Sequence, residues 1–366
     1  MTHVRTPSAT AIGVYDHYEA IDEVKAYYGV LAIYGLARLG FRHQDDAVLG
    51  RVERILARFP DQIDHPRYNF PSYAVGGNAL AYMVSSGRLQ HRAADVSEYA
   101  EEMMTAARDG RGILELPNSP GGRIWIDVAT AASPFLLFAG TALGRPAWID
   151  EAVHQSVAMY DALLDDDTGL LHQCEGFIAP GVRSSDHWGR GQGWGILGLA
   201  ELAAGLPVDH PRRPDVIARL RELSETLLPY QSGRGYWRQE VNEPTAWEEL
   251  SGTGLIAYSL GLSIEAGILS PDRFAEPVRR AIEGIARHGV NPDFSTENSC
   301  PGTLCPGEGS EKGTPAAYIA RKPYRDEVHS FAPVILAMSV APVVGVGQVT
   351  LRDAPQSTTY LGQVAT

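Results

Sequence analysis

Residues 147–173 read AWIDEAVHQSVAMYDALLDDDTGLLHQ, and the fold turns on how this stretch is parsed. Ile149, Val153, Val157, Tyr160 and Leu164 recur at spacings of three and four, the period of a single buried helical face. DDDTG then ends the helix with a polar, glycine-containing turn, and a short apolar piece follows. The unit returns along the chain. RPDVIARLRELSETLLPY, with Val216, Leu220, Leu223 and Leu227 in register, runs into QSGRGYWRQE. RFAEPVRRAIEGIARHGV runs into ARHGVNPDFS, and ARDGRGILELP closes another near residue 110. RFPDQIDHP near 60 and GVGQVTLRD near 346 are weaker copies. The period is roughly 55–65 residues, room for two helices and their loops. Six such hairpins fill the chain. The expectation is all-α: an (α/α)6 barrel of six helical hairpins, a single domain over residues 1–366, with the turns gathered around one open end.

The 366 residues are 44% hydrophobic and carry a net charge of −13. Such a chain buries a large core. Its acidity excludes a global basic footprint for nucleic acid, and no apolar run is long enough for a membrane span. The first twenty residues lack an apolar leader followed by a small-residue cleavage site. With only Cys174, Cys300 and Cys305, this predicts a reducing cytoplasm. Four residues separate Cys300 from Cys305, which is not a zinc-ribbon spacing; two reduced thiols on a packed loop are expected, with no metal and no cofactor.

DHWGRGQGWGILGLAELAAGLP, Asp186–Pro207, reads as a glycine-rich loop ahead of an apolar helix. GRGQG has neither the preceding strand nor the spacing of a dinucleotide fingerprint. Arg190 stands between Trp188 and Trp194, with His187 alongside. A guanidinium fork matches a carboxylate, and indole faces suit the C–H surface of a sugar. The competing structural role is a core tryptophan pair with Arg190 bridging loop carbonyls. Asp127 follows RIWI beside Trp125. Ser133-Pro134 reads as a helix start, which places Asp127 in a loop or a short leading turn. There it either caps a helix or, poorly solvated beside indoles, holds its proton at neutral pH as a general acid. His172 in GLLHQCEGF has a catalytic and a structural reading. Glu248 and Glu249 in EELSGTGLIAYSLG suit a helix N-terminus, and Asp326 and His329 in YRDEVHSFAPVILA precede an apolar helix.

WID…SPFLLFAG, DDDTGLLHQCEGF, DHWGRGQGWGILGLAELAAGLP, EELSGTGLIAYSLG and DEVHSFAPVILA, in this order over roughly residues 70–340, resemble glycoside hydrolase family 105 and its relative family 88. These are unsaturated rhamnogalacturonyl and unsaturated glucuronyl hydrolases. The resemblance implies an (α/α)6 barrel. It also implies removal of a terminal 4,5-unsaturated uronic acid from lyase-generated oligosaccharides by hydration of a vinyl ether, with no nucleophile and no metal. Asp127 matches the proton donor. His172, Trp188, Arg190 and Trp194 match positions lining the uronate subsite, and Asp186, His187 and His329 are expected in the same wall. The implied partner is a small anionic oligosaccharide. One departure stands out. The family's second active-site aspartate belongs in an early loop, yet FPSYAVGGNALAYM, Phe70–Met83, holds no acid; Asp64 lies upstream and Asp186 is a substitute. Two rival readings remain: a conventional glycosidase on a saturated sugar with Asp127 and Asp186 as its carboxyl pair, and a non-catalytic helical-repeat module that binds carbohydrate or protein.

Overall fold

The computed structural model describes residues 3–22, 27–60, 70–117, 119, 121–302, 304–353 and 360–361. Its helices in chain order are α1 (Pro7–Ile21), α2 (Tyr27–His43), α3 (Asp46–Leu56), α4 (Gly77–Ser85), α5 (Ala93–Thr105), α6 (Asp127–Leu143) and α7 (Pro146–Leu163). They continue with α8 (Gly189–Gly205), α9 (Arg213–Leu227), α10 (Leu250–Glu265), α11 (Pro271–Gly284), the short α12 (Pro315–Ile319) and α13 (Phe331–Ser339). α2, α4, α6, α8, α10 and α13 each pack on the next, and α13 packs back on α2, closing an inner ring of six. α3, α5, α7, α9 and α11 lie against this ring, and α1 lies against α13. The expected six-hairpin barrel is therefore the fold, with its last pair made from the two ends of the chain. A two-residue antiparallel pairing, Val4–Arg5 with Val349–Thr350, ties those ends together.

Hydrophobic patterning explains the layers. The outer α9 buries Val216, Leu220, Leu223 and Leu227 and leaves its other face wet. The inner α6, α8, α10 and α13 are buried nearly all round, as helices in a core must be. The repeated turns become tight antiparallel bridges, Arg108 with Leu114, Leu164 with Leu171 and Val290 with Thr296. The short apolar RIWI pairs as Ile124–Trp125 with Cys174–Glu175.

Two local readings are corrected. GRGQGWG is not a loop: α8 begins at Gly189 and contains it. Its glycines serve helix packing. A Cβ on Gly189 would lie 2.3 Å from the Arg238 carbonyl oxygen, one on Gly193 2.7 Å from Leu255, and one on Gly252 of α10 2.6 Å from the Gly189 carbonyl. The backbones of α8 and α10 thus touch where any side chain would hold them apart. Nor does Ser133-Pro134 start a helix. α6 begins at Asp127, and Pro134 lies within it. A proline there leaves the carbonyl four residues earlier without its helical donor. That carbonyl, on Thr130, accepts instead from the Asn78 side-chain Nδ2, 3.0 Å away on α4.

At the C-terminal ends of the inner helices, Glu201 of α8 accepts from the hydroxyls of Tyr34 and Tyr258, both at 2.6 Å. The Arg38 guanidinium lies over the rings of Tyr34, Tyr82 and Tyr258. This network ties α2, α8 and α10 together at that end of the barrel.

Candidate active site

The other end holds a cavity of about 330 Å³, in the range of small-ligand sites. Its walls come from the first turns of the inner helices and the segments leading into them. Tyr27 opens α2, Asn78 is in the first turn of α4, Asp127 opens α6, and Trp194 is in the second turn of α8. Tyr73, Trp125, Gly302 and Leu304 complete much of the rim. Among the described residues Asp127 is the one carboxylate in this lining.

Asp127 is the first residue of α6, and the residue before it makes no side-chain cap. Its Oδ1 is buried without a hydrogen-bond partner. Burial pushes its pKa up to about 7, against the opposing pull of the Arg190 guanidinium. A helix N-terminus favours the carboxylate, yet desolvation outweighs it, so the group is poised near neutrality. Three other lining residues share the unpaired state: Asn78 Oδ1, Trp125 Nε1 and Trp194 Nε1. A cavity with an unpaired carboxyl oxygen, a carbonyl-type acceptor and two indole donors is built for a ligand that carries hydroxyls, since buried polar groups otherwise find partners.

Arg190 stands just behind this wall, 1% exposed. Its Nη1 donates to Ser251 Oγ (3.0 Å) and the Cys300 carbonyl (2.7 Å), and its Nη2 to the Pro301 carbonyl (3.0 Å). Its guanidinium lies 4.5 Å from the centroid of the Trp188 ring. Trp188 is fully buried and forms the floor under Arg190 rather than part of the cavity lining. The bridging role weighed for Arg190 is thus the one its hydrogen bonds display, and it fixes the loop that brings Gly302 into the wall. Glu249 supports the same loop as the N-cap of α10, accepting from the N–H groups of Ser251, Gly252 and Cys300.

His172, His187 and Asp186 do not join the lining. His187 Nε2 is 2.9 Å from Asp165 Oδ2, and the His172 ring stacks on His187 at 5.2 Å between centroids. The ligand atoms of Asp165, His172 and His187 all lie within 4.8 Å of one another, a grouping able to hold a cation. Both imidazoles have lowered pKa values, chiefly from burial. Asp186 is fully buried, and its Oδ2 accepts from the Trp188 N–H at 3.1 Å. Burial pushes its pKa up to about 6, against hydrogen bonds from Ser184 and nearby backbone. Cys174, Cys300 and Cys305 are all free and buried.

His329 lies on the segment before α13. Its Nδ1 is 2.8 Å from Glu327 Oε1, and its Nε2 is hydrogen-bonded with the Tyr27 hydroxyl. Sequence reasoning missed Tyr27, Tyr73, Asn78 and Glu327. KAYYGVLAIYGL hides its tyrosines at the head of an apolar helix, and Glu327 was passed over beside His329 in DEVHS. Asp64 lies outside the described residues. Where the early loop lacks an acid, the wall is formed by Phe70, Tyr73 and Asn78.

The Glycosyl Hydrolase Family 88 profile matches residues 6–341. The chain is 27% identical over 173 residues to an unsaturated rhamnogalacturonyl hydrolase of Bacillus subtilis, covering 46% of this chain and 50% of that one. It is 24% identical over 172 residues to an unsaturated 3S-rhamnoglycuronyl hydrolase of Formosa agariphila, covering 44% and 46%. The matches thus span about half the length of these curated relatives. Among solved structures, a family 105 glycoside hydrolase of C. acetobutylicum superposes with a TM-score of 0.81 at 20% identity, over 92% of this chain and 99% of that one. The unsaturated glucuronyl hydrolase of Bacillus sp. GL1 superposes with a TM-score of 0.65 at 15% identity, over 93% and 96%. Both likenesses are of fold.

Proposed function

The chain belongs to glycosyl hydrolase family 88, and from that premise we propose that it removes a terminal 4,5-unsaturated uronic acid from short oligosaccharides by hydrating the enol ether. The observation that carries this reading is Asp127: one carboxyl, poised near neutrality, with its Oδ1 unpaired, in a cavity with three further unpaired polar atoms. Protonated Asp127 delivers its proton to C4. Positive charge develops at C5 and the ring oxygen, water adds at C5, and the hemiketal opens to release a keto-uronate. Such a reaction asks for one acid that can later act as a base. A conventional glycosidase needs two carboxyl groups flanking the bond. Among the described residues, Asp186 does not line the cavity with Asp127, which disfavours that rival.

The uronate carboxylate is met by field rather than by a fork. The inner helices α2, α4, α6 and α8 bring their N-terminal turns to this mouth, where peptide dipoles favour an anion. Arg190 adds a full charge just behind the wall. Trp125 and Trp194 offer indole faces and N–H donors. His172, His187, Asp186 and Trp188 then act in support of the wall, and His329 belongs to it through Tyr27. We place the enzyme in the cytoplasm, where three free thiols stay reduced; no helix of the described residues is long and apolar enough to cross a membrane.

The test is a panel of lyase-generated disaccharides from pectin, glycosaminoglycan and ulvan. Loss of the near-ultraviolet enol-ether absorbance with at least one of them is expected. Stability of that absorbance across the whole panel rejects hydration and returns the conventional glycosidase reading.

A further inference from the structure

We propose that Tyr27, backed by His329 and Glu327, takes up the proton of the attacking water. The inference rests on the hydration chemistry above. Tyr27 and Asp127 line the same cavity, and each tyrosine of the Tyr27–Tyr73 pair feels the Asp127 charge. Behind Tyr27, its hydroxyl meets His329 Nε2. On the far side of the ring, His329 Nδ1 is 2.8 Å from one Glu327 oxygen and 2.9 Å from the other. Glu327 is itself held by the His329 N–H at 2.9 Å. The donor order follows from chemistry. A carboxylate only accepts, so Nδ1 carries the hydrogen toward Glu327. Nε2 is then left as an acceptor for the Tyr27 O–H. A hydroxyl, a base within reach and a carboxylate orienting that base are the parts of a proton-abstracting triad.

The segments that carry it are fixed. Tyr27 opens α2 and His329 precedes α13, the two neighbours that close the inner ring. His329 and Glu327 are 7% and 5% exposed, so bulk water does not compete for the chain of bonds. The charged and titratable groups facing it among the described residues are Asp127, Tyr73 and Arg190 around Tyr27, and Arg190 and Glu249 around His329. The rings of Tyr27 and Tyr28 both contact His329.

The proton account closes. Asp127 gives its proton to C4. The water oxygen bonds to C5 while one of its protons passes to the Tyr27 oxygen, and the tyrosine's own proton passes to His329 Nε2. The imidazolium is stabilised by Glu327. When the hemiketal opens, its remaining O–H proton goes to the Asp127 carboxylate. The ring oxygen takes the proton held on His329 through Tyr27. The hemiacetal left at C1 then falls apart, and all four side chains are restored. In this scheme Tyr27 touches the reacting water, whereas His329 and Glu327 position and charge it.

The scheme predicts a bell-shaped rate profile. Asp127 must be protonated, which sets the alkaline limb. His329 must be neutral, which sets an acid limb below the ordinary histidine range, because burial holds its pKa down. The experiment compares wild type with Tyr27→Phe and His329→Gln on the disaccharide that the wild type consumes. Expected are a fall in kcat of about a hundredfold or more, KM changed by less than about threefold, and loss of the acid limb with the alkaline limb retained. If Tyr27→Phe fails to fold, Glu327→Gln serves and should weaken the same limb. An active wild type whose Tyr27→Phe form keeps kcat, or loses it with the acid limb intact, overturns the relay alone. A wild type that consumes none of the panel overturns the hydration reading and the relay with it.

Discussion

Asp127 holds the two requirements of a general acid in one place: a proton retained near neutrality and an oxygen left free to deliver it. Replacing it with asparagine should lower the rate by about a hundred- to ten-thousandfold, measured as single-substrate turnover. The same substitution should stabilise the fold. The folded pKa is raised from 3.8 to about 7, so between these values the native state holds a proton that the unfolded chain has released. Wild-type stability therefore falls as pH rises through that window, by up to about 4 kcal/mol. Thermal unfolding should show Asp127→Asn ahead of wild type at pH about 8 and level with it at about 4. Arg190→Lys keeps the charge but loses the fork. It leaves the Cys300 and Pro301 carbonyls short of donors, at a cost of about 2–3 kcal/mol. We expect a raised KM, because the loop bearing Gly302 loses its anchor. The sequence displayed Asp127 and Arg190 plainly. It did not display which donors Arg190 would spend on loop carbonyls, since those partners lie more than a hundred residues away.

Among the elements, α8 was misread at its start because four closely spaced glycines look like a loop. Glycine is a poor helix former, but tertiary packing overrides that cost where two backbones must touch. Gly252→Ala tests this: its Cβ would fall 2.6 Å from the Gly189 carbonyl. The α8–α10 contact would have to open, at a cost of about 1–3 kcal/mol, read as a lowered urea midpoint with an unchanged slope. Pro134 was misread for the opposite reason. Proline in a first turn is the common pattern, whereas here a side chain from α4 takes over the orphaned Thr130 carbonyl. That repair turns Asn78 so that its Oδ1 is left unpaired in the cavity lining. Packing and site are thus joined at a single residue.

For the whole molecule, closure is the controlling feature. In an open solenoid each repeat unfolds with its neighbours only; here α13 returns to α2, and strands from both ends of the chain pair. Ile335 of α13 sits at that joint, where its Cγ2 lies 2.8 Å from the Cβ position of Gly35 on α2. Ile335→Ala should cost about 2–5 kcal/mol and lower the midpoint of a single cooperative transition seen by far-ultraviolet circular dichroism. Fraying of one end, with the rest unmoved, is the result that contradicts closure as the source of cooperativity. The barrel also divides its two ends by chemistry. Arg38, Glu201 and three tyrosines stand at one end, while helix N-termini and the buried acid Asp127 line the other. Treatment with a chelator should leave turnover unchanged, because the proposed proton transfers use side chains alone; a loss of rate would redirect attention to Asp165, His172 and His187.

The sequence by itself determined the helical hairpins and their number, and displayed Asp127 among a set of polar and aromatic candidates, because periodicity, turn residues and residue types are local properties. Only the tertiary structure decided which of those residues share a cavity. It drew Tyr27, Asn78 and Asp127 together from three helices and set Arg190 behind them. It also turned His172 and His187 toward Asp165 instead. That sorting depends on how helix axes approach and which buried groups find partners, and neither is written in the spacing of residues along the chain.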